Sequence, residues 1–196
     1  MAQPPHPPGP QARVRDPQVL RALAHPLRTR LLGLLRLDGP STASRLGARV
    51  GESSGVTSYH LRQLAQHGFV TELADRGTRR ERWWQAAHTM TSWEPDELLD
   101  QPGGQEVGEQ MQRLQVEHIG RELRRWVDAG RVHGPEWARA AGMSDYLLRL
   151  PPEQTRQLLE ELYAVLDRWS ADTLEPAPWS TAVSVFAVAV PRTDPS

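Results

Sequence analysis

Three apolar runs at helical spacing follow one another in the first third of the chain, and each is closed by glycine or by glycine and proline. Asp16-Pro17 opens the first of them as an N-cap followed by proline at the first helical position. Val14, Leu20, Leu23 and Ala24 can share its inner face. His25-Pro26 interrupts and restarts the helix. Leu27, Leu31, Leu32, Leu34 and Leu35 then continue to Leu37, where Asp38-Gly39-Pro40 stops it. Ser41 is placed to cap a second run over 42–50, with Ala43, Leu46 and Val50 inward and Gly51 at its end. Ser53 or Ser54 caps a third, which ends at Gly68 and buries Thr57, Leu61, Leu64 and Ala65.

The period then changes from helical to alternating. Phe69 to Leu73 reads as a strand, Asp75-Arg76-Gly77-Thr78 as a hairpin turn, and Arg80 to Ala86 as the returning strand. Pro95, Pro102, Gly103 and Gly104 mark a linker over 91–104. A long helix is predicted over about 105–129 from Val107, Met111, Leu114, Ile119, Leu123, Trp126 and Val127, and Gly130 ends it. Tyr146, Leu148 and Leu150 alternate as a short strand. Pro151-Pro152 opens a further helix carrying Leu158, Leu159, Leu162, Leu166 and Trp169 on one side. Residues 180–190 (STAVSVFAVAV) form a strand apolar on both faces, which needs cover on both.

The expected fold class is therefore mainly α with a small β component (α+β). A disordered tail (1–12) precedes a three-helix and hairpin domain (13–90). A linker (91–104), a C-terminal dimerisation or effector domain (105–191) and a second disordered tail (192–196) complete the chain. The first tail holds five prolines and little that could pack.

Charge sharpens the picture. Residues 1–90 hold 13 Arg against 6 acids, a net of +7, and residues 91–196 hold 10 Arg against 18 acids, a net of −8. The total is only −1, so the asymmetry is visible only by halves. It points to a polyanion partner for the first half alone, against the plainer reading of clustered surface charge. With no cysteine, disulfides, thiolate metal sites and cysteine nucleophiles are excluded. The start, MAQPPHPPGPQ, has no apolar core of a signal peptide, and no apolar run is long enough to span a bilayer. A cytoplasmic protein without a membrane partner is expected.

With Thr57, Leu61 and Leu64 inward, Tyr59 and Arg62 point away from the third helix, flanked by Ser58 and His60. Ser54 and Gly55 are outward near its start. Hydroxyls, a phenol, an imidazole and a guanidinium are the groups that reach base edges in the major groove, while a helix N-terminus holds a phosphate. The hairpin tip adds Arg76, Thr78, Arg79 and Arg80, suited to phosphate or a narrow minor groove. Alternation sends Arg80 and Arg82 to one face and Arg79 to the other, which favours Arg76, Thr78 and Arg79. The candidate DNA-contact set is Ser53, Ser54, Thr57, Ser58, Tyr59, His60 and Arg62 on the helix, with Arg76, Thr78, Arg79 and Arg80 on the hairpin. Each arginine taken singly is equally well read as solvated charge; the combination is the specific signal.

The segments ALAHPLRTRLLGLL, STASRLGARVG, TSYHLRQLAQHGFV and GTRRERWW together resemble ArsR-type winged-helix transcription regulators over about residues 14–88. The resemblance implies a homodimer that reads an inverted-repeat operator through successive major grooves, usually as a repressor. The chain departs from the metal-sensing members of that family. Residues 42–51 contain no cysteine, and the C-terminal candidates, Glu117-His118 and His133, are separated by the helix-ending Gly130. No metal site and no cofactor are expected.

Five of the seven tryptophans lie after residue 90. Trp126, Trp137 and Trp169 are candidates for an aromatic pocket holding a small effector of unknown identity; core and dimer packing is the favoured alternative. The competing function for the hairpin domain is a protein-interaction module without DNA affinity, which predicts an apolar patch near Trp83 and Trp84. An enzyme is not expected, because no G-x-S-x-G, phosphate-binding glycine loop or metal-ligand spacing occurs, and Glu160 and Glu161 read as a solvated helix face.

Overall fold

A computed structural model describes residues 11–78, 81–93, 95–130, 132, 134–172 and 181–192. The chain divides into two compact units, one spanning residues 9–117 and the other built chiefly from residue 118 onward.

The first unit begins with a short strand, β1 (Gln11–Arg13), followed by α1 (Pro17–Leu23) and α2 (Pro26–Asp38). Asp16 caps α1 by accepting from the Gln18 amide at 2.7 Å. His25 caps α2: its Nδ1 accepts from the Leu27 amide at 3.1 Å, and Pro26 occupies the first helical position. The break between the helices therefore falls at His25-Pro26, as the sequence predicts. β2 (Ser41–Thr42) leads into α3 (Ala43–Val50), and α4 (Ser54–Gln66) follows after a tight turn. Thr42, and not the expected Ser41, caps α3, accepting from the Arg45 amide at 3.4 Å. Ser41 is instead held in register opposite Trp84.

Gly51, in the left-handed region at φ 79°, terminates α3. Ser53 caps α4 by accepting from the Val56 amide at 3.2 Å. After α4 come β3 (Val70–Thr78) and β4 (Glu81–Ala86), which pair antiparallel, with β2 on the other edge of β4. The β3–β4 register shifts between Leu73 and Gly77, so the hairpin twists toward its tip.

Two features depart from the expected organisation. β1 runs parallel to β5 (Met90–Ser92), with Gln11 opposite Met90 and Arg13 opposite Ser92, so residues 11 and 12 are not part of a disordered tail. The expected linker holds β5 and a short helix, α5 (Pro95–Leu99), and Leu98 is buried. Arg13 donates to Glu97 at 2.9 Å, and Gln101 donates to the carbonyl of Arg15 at 2.7 Å. The long α6 (Gly104–Ala129) begins directly behind, with Val107 and Met111 in the same core as Leu20, Leu31, Leu35, Leu61, Leu64 and Phe69. Gly104 sits against the Leu98 carbonyl so closely that no side chain fits there. Gln110 of α6 donates to the carbonyl of Ala24 at 2.9 Å and fixes this helix to the end of α1. The core of the helix-turn-helix unit thus extends to Met111.

The second unit contains the end of α6, α7 (Gly134–Ala140) and α8 (Pro152–Asp172). Residues 141–151 and 181–192, which include the strand expected at 146–150 and all of the one expected at 180–190 except residue 180, which lies outside the described residues, carry neither helix nor ladder. Among the described residues, no buried hydrophobic position lies beyond Met111. Tyr146, Leu147, Leu148, Val183, Val185, Val188 and Val190 are all exposed. Alternation predicted the first of these strands and a doubly apolar run the second, but a strand forms only where a neighbouring edge supplies hydrogen bonds. Among the described residues, no helix is long and apolar enough to cross a membrane.

Candidate nucleic-acid interface

Helix α4 presents its polar side because its apolar side is fully committed. Leu61 and Leu64 are wholly buried, and so is Thr57, whose hydroxyl donates to the Ser53 carbonyl at 3.0 Å. Opposite them lie Ser53, Ser54, Gly55, Tyr59 and Arg62, all exposed, with Ser58 half-buried at the edge. Tyr59 keeps 52% of its surface accessible. Spacings of four and three residues (55, 59, 62) put the outer groups on one stripe of the helix.

Two members of the expected contact set are corrected by this packing. Thr57 has no accessible surface, and its hydroxyl is spent on a hydrogen bond within the helix. His60 retains only 9% of its surface and stacks on His25, with ring centroids 4.6 Å apart and planes tilted by 39°. The Tyr59 ring meets the same imidazole in a T-shaped contact, with ring centroids 5.2 Å apart. The inward turn of His60 has no local sequence signal, because its partner ring lies 35 residues earlier, at the start of another helix.

The His25–His60 stack is short of hydrogen bonds. His60 Nδ1 and the Nε of the adjacent Arg28 are buried without partners. Burial, then the Arg28 charge, then the neighbouring imidazole hold His25 below the usual histidine range. Burial and Arg28 likewise lower His60, opposed in part by Glu52.

The hairpin flanks α4 with further cations. Arg76 is exposed, and Arg82 is exposed but paired with Glu72 at 3.2 Å. Two guanidiniums lie near the Trp83 ring: Arg45 of α3 at 4.9 Å and Arg76 of β3 at 5.7 Å from its centre. Arginine on an indole face is a favourable electrostatic contact that orders both partners. Arg45 was missed by the sequence pattern. Its only sequence mark is its position three residues after the cap Thr42. Thr78 ends β3, and its side chain, with Arg79 and Arg80, lies outside the described residues.

A cleft of about 250 Å³ joins these elements. It is lined by Thr42, Ala43 and Ser44 at the start of α3, by Ser54, Ser58 and Arg62 of α4, and by Glu81, Arg82 and Trp84 of β4. Hydroxyls and guanidiniums facing a shallow groove are the chemistry that contacts a nucleic-acid backbone. A second cleft, about 330 Å³, is lined by residues 12–16 and by Val19, His67, Gly68, Phe69 and His88. Behind it, burial pushes the Arg36 guanidinium down to about 10, still charged near neutrality, and Arg36 donates to the His88 carbonyl at 2.9 Å.

The candidate effector residues fall on different helices: Trp126 on α6, Trp137 on α7 and Trp169 on α8. The first two are half-buried and Trp169 is 68% exposed. Neither of the two clefts is lined by any of them. Among the described residues, no group of three or more His, Asp or Glu side chains is gathered as a metal site.

A family model described as a helix-turn-helix domain matches residues 23–72, from the end of α1 into β3. No curated protein matches the chain. The matched segment contains α2, α3 and α4, and β3 and β4 add the wing. The chain therefore carries a winged helix-turn-helix domain, an arrangement that supports DNA-binding transcription regulation.

Proposed function

We propose that the protein is a dimeric, sequence-specific transcriptional regulator of the ArsR type, acting as a repressor in the cytoplasm. In this reading α4 enters the major groove of an inverted-repeat operator and the wing contacts the flanking backbone. The observation that carries it is the exposed stripe of Ser54, Tyr59 and Arg62 on a capped helix, beside a wing bearing Arg76 and Arg82. The +7 balance of residues 1–90 adds long-range attraction for a polyanion. Base-edge contacts come from Tyr59, Arg62 and the serines, and phosphate contacts from Arg45, Arg76, Thr78, Arg79 and Arg80.

Dimerisation is supported by residues 118–192, which supply no buried hydrophobic side chain among the described residues but many exposed ones. Two linked recognition helices also gain affinity that neither has alone. The sign of regulation rests on the family resemblance. A small effector held by Trp126, Trp137 and Trp169 belongs to the same reading, with packing between subunits as the alternative role of these rings.

The rival reading, an interaction module without DNA affinity, is disfavoured by one observation. Trp84 is buried and Trp83 is flanked by two guanidiniums, so the apolar patch it requires is not offered there. Selection of duplex sequences by the purified protein, followed by a shift assay in rising salt, tests the proposal. A selected inverted repeat bound with steep salt weakening is expected. Binding indifferent to sequence would refute it.

A further inference from the structure

The stacked imidazoles of His25 and His60 join the start of α2 to the recognition helix, and each has a structural reason to be neutral. The Leu27 amide points its hydrogen at His25 Nδ1, so this nitrogen must offer a lone pair. The proton of neutral His25 therefore sits on Nε2. His60 is enclosed, with Nδ1 unpartnered. From α2, Arg28 faces both rings, anchored by donation to the Arg21 carbonyl at 3.2 Å. From α4, the edge of Tyr59 meets His60. From the turn between α3 and α4, the exposed Glu52 is the acid among the described residues that acts on His60. On α1, Arg21 is directed to Glu106 at 3.6 Å.

We infer that the His25–His60 pair is a proton-sensitive positioning device, which holds the recognition helix in its DNA-binding placement while both rings are neutral and releases it on acidification. The inference rests on the DNA-binding reading for its consequence, but not for its mechanism. A proton on His25 Nδ1 would point a second donor at the Leu27 amide and remove the cap of α2. A proton on either ring would set an imidazolium against the other ring and against a guanidinium that remains charged throughout. The stack must then open, and because His60 belongs to α4, opening moves the helix that meets DNA.

The direction follows from linkage. Both groups have folded pKa values below the ordinary histidine value of about 6.5. The unfolded chain therefore binds more protons in the window between the folded and unfolded values. Stability present above about pH 6.5 is lost as pH falls through that window, and the loss levels off below the folded values.

The test compares the unsubstituted 196-residue protein with the double variant His25→Asn/His60→Phe. Asparagine retains an N-cap acceptor and phenylalanine retains a ring, and neither titrates in this range. Operator affinity at constant salt is measured from pH 7.5 to 5.0. The natural protein is expected to weaken about tenfold relative to the double variant, which keeps the other imidazoles. Histidine ring resonances of the unsubstituted protein, followed by NMR without DNA, give a second readout. Two rings are expected to titrate below 6.5, with amides of residues 54–66 shifting in step. Rings titrating at the ordinary value, or α4 amides indifferent to them, would overturn the device whatever the DNA result. If the rings and α4 titrate together but no duplex is bound at any pH, the device stands and the regulator reading fails.

Discussion

Gly47 and Thr57 meet at the crossing of α3 and α4. A methyl group on Gly47 would lie 3.0 Å from the Thr57 hydroxyl and 2.7 Å from the Glu52 carbonyl oxygen. The carbonyl belongs to the backbone of the turn and cannot swing away as a side chain could. The angle between the two helices is therefore set by the absence of a side chain at one position. Thr57 contributes from the other side, with its hydroxyl turned onto the Ser53 carbonyl.

Gly47→Ala is expected to destabilise the first unit by about 1–3 kcal/mol, the usual range for forcing a methyl group into a packed interior. Operator affinity should fall further than stability does, since α4 must tilt away from α3 to admit the methyl. Thermal unfolding together with duplex binding well below the transition checks both. An alanine variant with natural stability and natural affinity would show that the crossing is softer than its geometry.

The Arg45–Trp83–Arg76 stack ties the wing to α3, and it separates positioning from charge. If Arg76 contacts phosphate as proposed, Arg76→Ala should lower the slope of log affinity against log salt by about one. Trp83→Ala leaves both charges in place but frees them, with a loss of about 0.5–1 kcal/mol for each exposed cation–aromatic contact. It should therefore weaken binding with less change in salt slope. Equal slope changes in the two variants would mean that the indole does not order the guanidiniums.

Specificity is expected to reside in Tyr59 and Arg62 and not in the wing. Arg62→Ala should cost about 1–3 kcal/mol against the selected operator and much less against random duplex, as loss of a base contact does. Tyr59→Phe removes a single hydroxyl and should relax preference at one base pair. Competition binding between operator and scrambled sequence is the measurement. An Arg62→Ala variant weakened equally on both would reassign this residue to the backbone.

The helix-turn-helix unit was legible where its signals are local. Asp16, Ser53 and Gly51 end their helices by hydrogen bonds and backbone angles that depend only on near neighbours. The break at His25-Pro26 was readable for the same reason, and so were the two arms of the hairpin, but the turn expected at 75–78 falls within β3, where Gly77 pairs with Arg82 and Thr78 with Glu81. Signals that depend on distant chain were lost. Ser41 has the chemistry of a cap, but pairing with Trp84 recruits it to the sheet and passes the cap to Thr42. β1 looked like a tail because its partner, β5, lies about 80 residues on. Leu98 looked like linker because its burial depends on core residues from across the unit, Val107 and Met111 among them. In the candidate site, the outward stripe followed from periodicity, whereas the inward turn of His60 followed only from the ring of His25. The strands expected at 146–150 and 180–190 depend on an edge that the sequence does not identify.

That unassigned edge gives the last prediction. Residues 181–191 contain no charge, and Val183, Val185, Val188 and Val190 are exposed. Natural sheet edges left open to water are usually guarded by charges or proline within the strand, and an unguarded one is ready to pair. If a second copy supplies the cover, Val185→Asp with Val188→Asp should turn a dimer into a monomer in sedimentation. Operator affinity should then fall by about a hundredfold or more, because the two recognition helices lose their linkage. The unfolding transition of the winged unit should stay in place, since neither valine belongs to its core. If these side chains are merely solvated, the substitutions should change stability by no more than about 0.5 kcal/mol and leave the oligomeric state unaltered. That second outcome would remove the support for dimerisation through this segment and leave α4 and the wing to bind as a single unit.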